Sequence, residues 1–184
     1  MMKHSLLVLA FATALPLTTQ AAEYRALDKD KSAITFTYQQ MGVGMDGKFK
    51  SFTADLDFDP AKPEAGHAVI DVALASIDAG SDEANDEVVG KQWFNAEQFP
   101  SAKFESKSIT STGAGQYLVK GALTIKGKSI AVDVPATFKE ENGEGLFSGK
   151  LTIHRGDFSI GEGSWSTFDV VANDIEIQFT LAAK

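Results

Sequence analysis

From about residue 23 onward the chain is organised by a period of two. Ile34, Phe36 and Tyr38 alternate with Thr35 and Thr37. Phe52, Ala54, Leu56 and Phe58 alternate with Thr53, Asp55 and Asp57. Similar sets run over 68–74, around Phe104 in the polar-rich AKFESKSI, and over 117–125, 130–138, 147–153 and 175–181. Strict alternation gives a segment one apolar and one wet face, so each set predicts a half-buried antiparallel strand. Turn residues separate the sets. DPAKPEAG carries two prolines and a glycine, STGAGQ and ENGEG read as hairpin connections, and Lys126-Gly127 as a tight turn. Pro135, inside the sixth set, marks an edge or a bulge because it has no N–H to give a ladder.

One stretch departs from this period. SDEANDEVVGKQWF (81–94) reads as a short helix, with Ser81 as its cap, Asp82 and Glu83 at its positive end and Gly90 as its stop. Val88, Val89, Trp93 and Phe94 then turn toward the sheet. About eight antiparallel strands with one short helix predict an all-β domain, and closure into a barrel removes exposed edges.

Gly42, Gly44 and Gly47 spell G-x-G-x-x-G, the spacing of a dinucleotide loop. That loop works only when a helix leaves it, because the pyrophosphate rests on the helix N-terminus. Here Lys48-Phe49-Lys50-Ser51-Phe52 leads into a strand, and the nucleotide reading loses its physical basis. The glycines instead suit positive φ in a hairpin or bulge. Met41, Val43 and Met45 are then apolar residues on a loop at a barrel mouth. Either they cover a hydrophobic opening or the loop packs on its own barrel.

The first residues change the picture of where this domain works. MMKHSLLVLAFATALPLTTQAAEY has a basic start at Lys3, an apolar run from Leu6 to about Leu17, and small residues at its end. This is the layout of a secretory signal peptide, expected over 1–21 with the domain over 22–184. The run is too short for a permanent membrane anchor. With no cysteine in the chain there is no lipid-modified cysteine and no disulfide. The expectation is an exported, periplasmic protein. Of 17 basic and 25 acidic residues, only Lys3 falls in the leader, which leaves a net charge of −9. Such a surface repels phosphate backbones, so nucleic acid is not an expected partner.

Chemistry-bearing motifs are sparse. His67 and His154 lack metal-site spacing, no G-x-S-x-G elbow occurs, and Asp78, Asp82, Glu83, Asp86 and Glu87 lack a Ca²⁺-loop pattern. No metal, cofactor or catalytic residue is expected. HRGDFSIGEGSW (154–165) is the most loaded segment: Arg155 either holds a polar head group through its planar fork or pairs with Asp157.

Taken together, SAITFTY, DGKFKSFTADLDFDP, ASIDAGSDEANDE, WFNAEQFPSAKFES, GALTIKGKSIAV and HRGDFSIGEGSW, in this order and spacing, resemble the YceI-like family of secreted bacterial proteins. The resemblance covers essentially the whole chain after the leader. It implies a lipocalin-like barrel around an elongated apolar cavity that holds a long-chain isoprenoid amphiphile, an isoprenoid quinone or a polyprenyl phosphate. It also implies a homodimer as a further partner. Many relatives carry a histidine where this chain has Gln39-Gln40-Met41, and Arg-Asp with a histidine where it has Asn85-Asp86-Glu87-Val88. Those departures favour a neutral head group.

The alternating pattern assigns the walls to Phe36, Tyr38, Phe52, Leu56, Ile70, Val72, Trp93, Phe94, Phe104, Val132 and Val134. Gln40, Arg155 and Trp165 are assigned to the polar end, and Met41 to the ligand-binding residues as an apolar side chain at the mouth. Two other readings stay open: an enzyme using His154 and Asp157 on a bound lipid, and a barrel filled by its own phenylalanines that serves as an interaction module.

Overall fold

The computed structural model describes residues 23–184; the expected leader over 1–21 lies outside the described residues. Ten strands and one helix follow in the order β1 (Leu27–Gln40), β2 (Val43–Phe49), β3 (Phe52–Asp57), β4 (His67–Ala73), β5 (Ile77–Asp78), α1 (Asp82–Val89), β6 (Ser101–Gly113), β7 (Gln116–Ile125), β8 (Lys128–Glu141), β9 (Glu144–His154) and β10 (Asp174–Ala183). They form one antiparallel sheet in the order β3-β4-β6-β7-β8-β9-β10-β1-β2-β5, which curls most of the way into a barrel. Only Lys50 and Ser51 separate β2 from β3, and β5 has two residues. Taking β2 and β3 as one bent strand and leaving β5 aside gives the expected eight long strands.

The segment read as a loop after Gln40 is in fact mostly strand. Met41 and Gly42, at φ 52° and 79°, make the whole turn between β1 and β2. Positive φ at both central residues matches the twist of a two-residue hairpin. Lys126-Gly127 and Asn142-Gly143 repeat this geometry in the β7–β8 and β8–β9 turns. Gly47 serves a different purpose. Its partner across the ladder is Phe36, whose ring occupies the space a Cβ would need.

Closure is incomplete at two seams. Tyr24 bridges Phe58 beyond the end of β3, and no ladder joins β1 to β3. β8 pairs with β9 only from Ala136↔Gly149 to Glu141↔Glu144, so Lys128–Pro135 is bonded to β7 alone. Pro135 stands where β8 leaves β9, in keeping with its missing N–H.

The two ends of the barrel differ. At one, Tyr24, Phe58, Tyr117, Phe138 and Phe147 form a plug, with ring centroids 5.0–5.2 Å apart for Phe138–Phe147, Tyr24–Phe138, Phe58–Phe147 and Phe58–Tyr117. At the other lie the β1–β2 turn, α1 and the 155–173 connection between β9 and β10. Helix α1 starts as its sequence predicts, with Ser81 Oγ accepting from Ala84 N at 3.2 Å. Asn85 Oδ1 accepts from Ala79 N at 2.6 Å and ties the helix to the end of β5.

Candidate functional site: a long apolar cavity and its mouth

Between plug and mouth the barrel encloses a cavity of about 610 Å³. Inward residues of almost every strand line it: Ile34, Phe36 and Tyr38 on β1, Ile70 and Val72 on β4, Phe104 on β6, Val134 on β8, and Ile175, Ile177 and Phe179 on β10. On β7 the lining runs from Tyr117 to Ile125, which at about 3.3 Å per residue is about 26 Å of wall. The shape is therefore long and almost wholly apolar. Such walls take in hydrocarbon for the same reason the core excludes water.

Polar atoms gather at the mouth. Gln40, Ser81, Glu83, Glu87 and Trp165 line that end together with Met45. Trp165 Nε1 donates to Glu87 Oε1 at 2.8 Å, so the 155–173 connection is fastened to α1 across the opening. Glu83 lies one helical turn before Glu87, on the same side of α1. Its carboxyl is held below the usual range by its own backbone N–H and by the Ser81 hydroxyl. Tyr38 donates its phenol to Ala79 O at 2.9 Å, and burial pushes its pKa up. Trp93 packs against Trp165 with the rings tilted by 58° and their centroids 5.3 Å apart. Tyr24 Oη and Trp93 Nε1 are the two buried side-chain polar atoms without a hydrogen-bond partner among the described residues, and only Trp93 belongs to a residue lining the cavity.

Arg155 has neither of the roles its sequence context suggests. It is 1% exposed, and all five of its N–H donors go to main-chain carbonyls. Nε donates to Ala172, Nη1 to Ile160 and Gly161, and Nη2 to Trp165, Thr167 and Val171, at 2.8–3.3 Å. Its Cζ lies 5.2 Å from the Trp93 ring centroid and 4.9 Å from that of Phe168. Gly161, at φ 82°, passes so close to Nη1 that any side chain there would collide with it. The guanidinium is the knot that holds the 155–173 connection in shape. Burial lowers its pKa, and six carbonyl dipoles take the place of a carboxylate. It borders the cavity but keeps no donor for a head group, and Asp157 is exposed rather than paired with it.

The other assigned residues divide clearly. Phe36, Tyr38, Gln40, Leu56, Ile70, Val72, Trp93, Phe94, Phe104, Val134 and Trp165 line the cavity; Met41, Phe52 and Val132 do not. Met41 is 76% exposed at the tip of its turn. Phe52 is the first residue beyond the bend at Lys50-Ser51, and Phe49, before the bend, faces the cavity in its stead. Val132 pairs across to Gly121, over which the Phe104 ring lies, so Phe104 forms the wall there. Met45, placed at the barrel mouth by the sequence, lines the cavity there, whereas sequence reasoning missed the mouth carboxylates Glu83 and Glu87. The i, i+4 spacing of those two acids was the available signal. His154 is exposed and bonds Asp174 at 2.7 Å on the outside of the barrel. The residues assigned to an enzyme reading, His154 and Asp157, do not line the cavity.

A single-domain β-barrel wrapped around one elongated apolar chamber is a ligand-holding fold. Residues 26–183 match the YceI-like domain, and the chain belongs to that family. It is 32% identical over 193 aligned residues to a UPF0312 protein of Pseudomonas savastanoi pv. phaseolicola, covering 97% of each chain. Among solved structures it is similar to Burkholderia cenocepacia BcnA, with 40% identity, a TM-score of 0.83, and coverage of 86% of this chain and 99% of that one. A polyisoprenoid binding domain from Saccharophagus degradans shares the fold, with a TM-score of 0.68 at 15% identity and coverage of 90% and 99%.

Proposed function

We propose that this protein is an exported, periplasmic carrier that holds one long-chain isoprenoid amphiphile in its barrel, tail toward the aromatic plug and head at the mouth. The observation that carries this reading is the continuous apolar wall, about 26 Å long on β7, around a cavity of about 610 Å³. That size lies within the usual range for small-ligand sites. An open chamber also separates this reading from a barrel filled by its own side chains. The fold shared with the Saccharophagus degradans domain, described as polyisoprenoid binding, supports the ligand class.

Mouth chemistry favours a neutral head group such as a quinone over a phosphate. Arg155, the one Arg or Lys among the lining residues described, has committed its donors, and Glu83 and Glu87 would repel an anion. Trp93 Nε1–H supplies a donor for a carbonyl oxygen of the ligand, since a buried N–H without an acceptor is costly. Holding the ligand needs no bond-making chemistry.

Native mass spectrometry of the protein exported from a bacterial host, with its organic extract, tests this directly. The expected result is one lipid per chain with the mass of an isoprenoid quinone. A bare protein that also fails to load added quinones would refute the reading. A stoichiometric polyprenyl phosphate would keep the carrier and overturn the neutral head group.

A further inference from the structure

Four large apolar side chains are well exposed among the described residues: Met41 (76%), Val43 (61%), Phe168 (47%) and Val170 (40%). They come from two segments far apart in sequence that the fold brings together. Met41 N donates to Val170 O at 2.7 Å, Gln40 bridges Val171, and Ala172 N donates to Gln39 O at 3.0 Å. Phe168 lies two residues before Val170 in the same connection. None of the four lines the cavity; Phe168 lays its ring over Arg155 and still keeps 47% of its surface exposed. They project from the rim of a mouth whose lining includes their neighbours Gln40 and Val171.

Resting on the lipid-carrier reading above, we propose that this apolar rim docks the protein, mouth first, on a lipid bilayer with neutral or zwitterionic head groups. Three observations select that occupant. The patch is continuous with the cavity opening, so a lipid leaving a bilayer under the rim passes from one apolar environment to another without crossing water. No Lys or Arg occurs in 32–47, 81–90 or 156–173, segments at the mouth, whereas Asp46, Glu83, Glu87 and Asp169 do; Lys126, in the β7–β8 turn at the same end, has a buried side chain paired with Glu162 at 2.8 Å. Such a rim has no electrostatic hold on anionic phospholipid and is repelled by it. Finally, the patch is small and sits on a turn and a loop, which suits shallow insertion of side-chain tips better than a flat, stable interface with a second copy.

The triple variant Met41→Asn, Val43→Thr, Val170→Thr removes the apolar tips while respecting the backbone. Asn tolerates the positive φ of residue 41, and Thr keeps the β-branch of valine. Full-length exported protein is floated with phosphatidylcholine vesicles and with vesicles of equal phosphatidylcholine and phosphatidylglycerol. Quinone uptake is measured twice, from loaded vesicles and from solvent without vesicles. The expected results are binding to the neutral vesicles, weaker binding to the mixed ones, and roughly tenfold weaker vesicle binding and slower vesicle uptake in the variant. Uptake from solvent should be unchanged in the variant. Equal vesicle binding by wild type and variant would overturn the proposal. So would a wild-type dimer that the variant loses, with no vesicle binding by either. Failure of wild type to take quinone from solvent would count against the carrier reading instead, and flotation would still score the docking.

Discussion

Replacing Arg155 by methionine removes a hydrogen-bond donor set that six carbonyls share. Three of those bonds, to Ile160, Gly161 and Val171, are fully buried, and the other three are partly buried. Each buried acceptor left without a partner costs about 1–3 kcal/mol. Relief from no longer desolvating a guanidinium, and water reaching the partly buried carbonyls, offset some of this. The net expectation is a loss of about 3–5 kcal/mol. A domain of this size has about 5–15 kcal/mol in total, so the variant should unfold at a much lower urea concentration. Arg155→Lys keeps the charge but offers three donors without the planar fork, and should recover only part of the loss. Equilibrium urea unfolding of the three proteins at neutral pH, followed by tryptophan fluorescence, measures this. Arg155→Met within about 1 kcal/mol of wild type would refute the knot. If that same stable variant also failed to load a ligand, Arg155 would be a head-group residue after all.

Gly161→Ala should cost about 1–3 kcal/mol in the same assay, because a Cβ at φ 82° is strained and meets Arg155 Nη1. Gly149→Ala tests the packing of aromatic rings over strand glycines: its Cβ would lie 2.5 Å from Pro135 O and 2.6 Å from Phe179 Cζ, and a loss of about 1–3 kcal/mol is expected. Val72→Asp places a carboxylate in the apolar wall and should lower quinone affinity by roughly a hundredfold or more, read by fluorescence quenching; unchanged binding by a folded variant would count against the wall. Glu144, bonded to Lys31 at 2.6 Å and Lys184 at 3.0 Å, titrates below the ordinary carboxyl value when folded. Its stabilising contribution is therefore present above the unfolded pKa of about 4.3 and is lost as pH falls through the lower folded value. Glu144→Gln should flatten the urea midpoint between about pH 5 and 3, and an unchanged acid slope would refute that assignment.

Much of the barrel is legible in the sequence because the sheet carries its interior on alternate residues. Ile34, Phe36 and Tyr38, or Ile70 and Val72, could be placed on the wall by counting in twos. Counting does not show how far along a strand the cavity reaches. Phe52 keeps the phase of Leu56 and pairs with the lining residue Val72, yet it stands at the very start of β3, where Phe49 across the Lys50-Ser51 bend lines the cavity and Phe52 does not. Arg155 was legible as important but not as what it is. Its partners are backbone carbonyls, which have no sequence signature, and the nearby Asp157 suggested an ion pair. The 3₁₀ turn Arg155–Phe158 instead leaves that carboxylate exposed while the guanidinium turns inward. Glu83 and Glu87 read as helix-start acids, because the sequence does not say which side of α1 overlooks the opening.

Both termini of the folded domain meet at the plug. Tyr24 bridges Phe58 there, and the amides of Arg25 and Ala26 both donate to Lys184 O, at 2.9 and 2.8 Å. The β1–β2 turn lies at the other end of β1, a strand of 14 residues, about 40 Å away at full extension. A tag, fusion partner or solid support joined at either terminus is thus held behind the barrel. Protein coupled to a sensor chip through a tag placed after Lys184 would present its opening to the flowing solution.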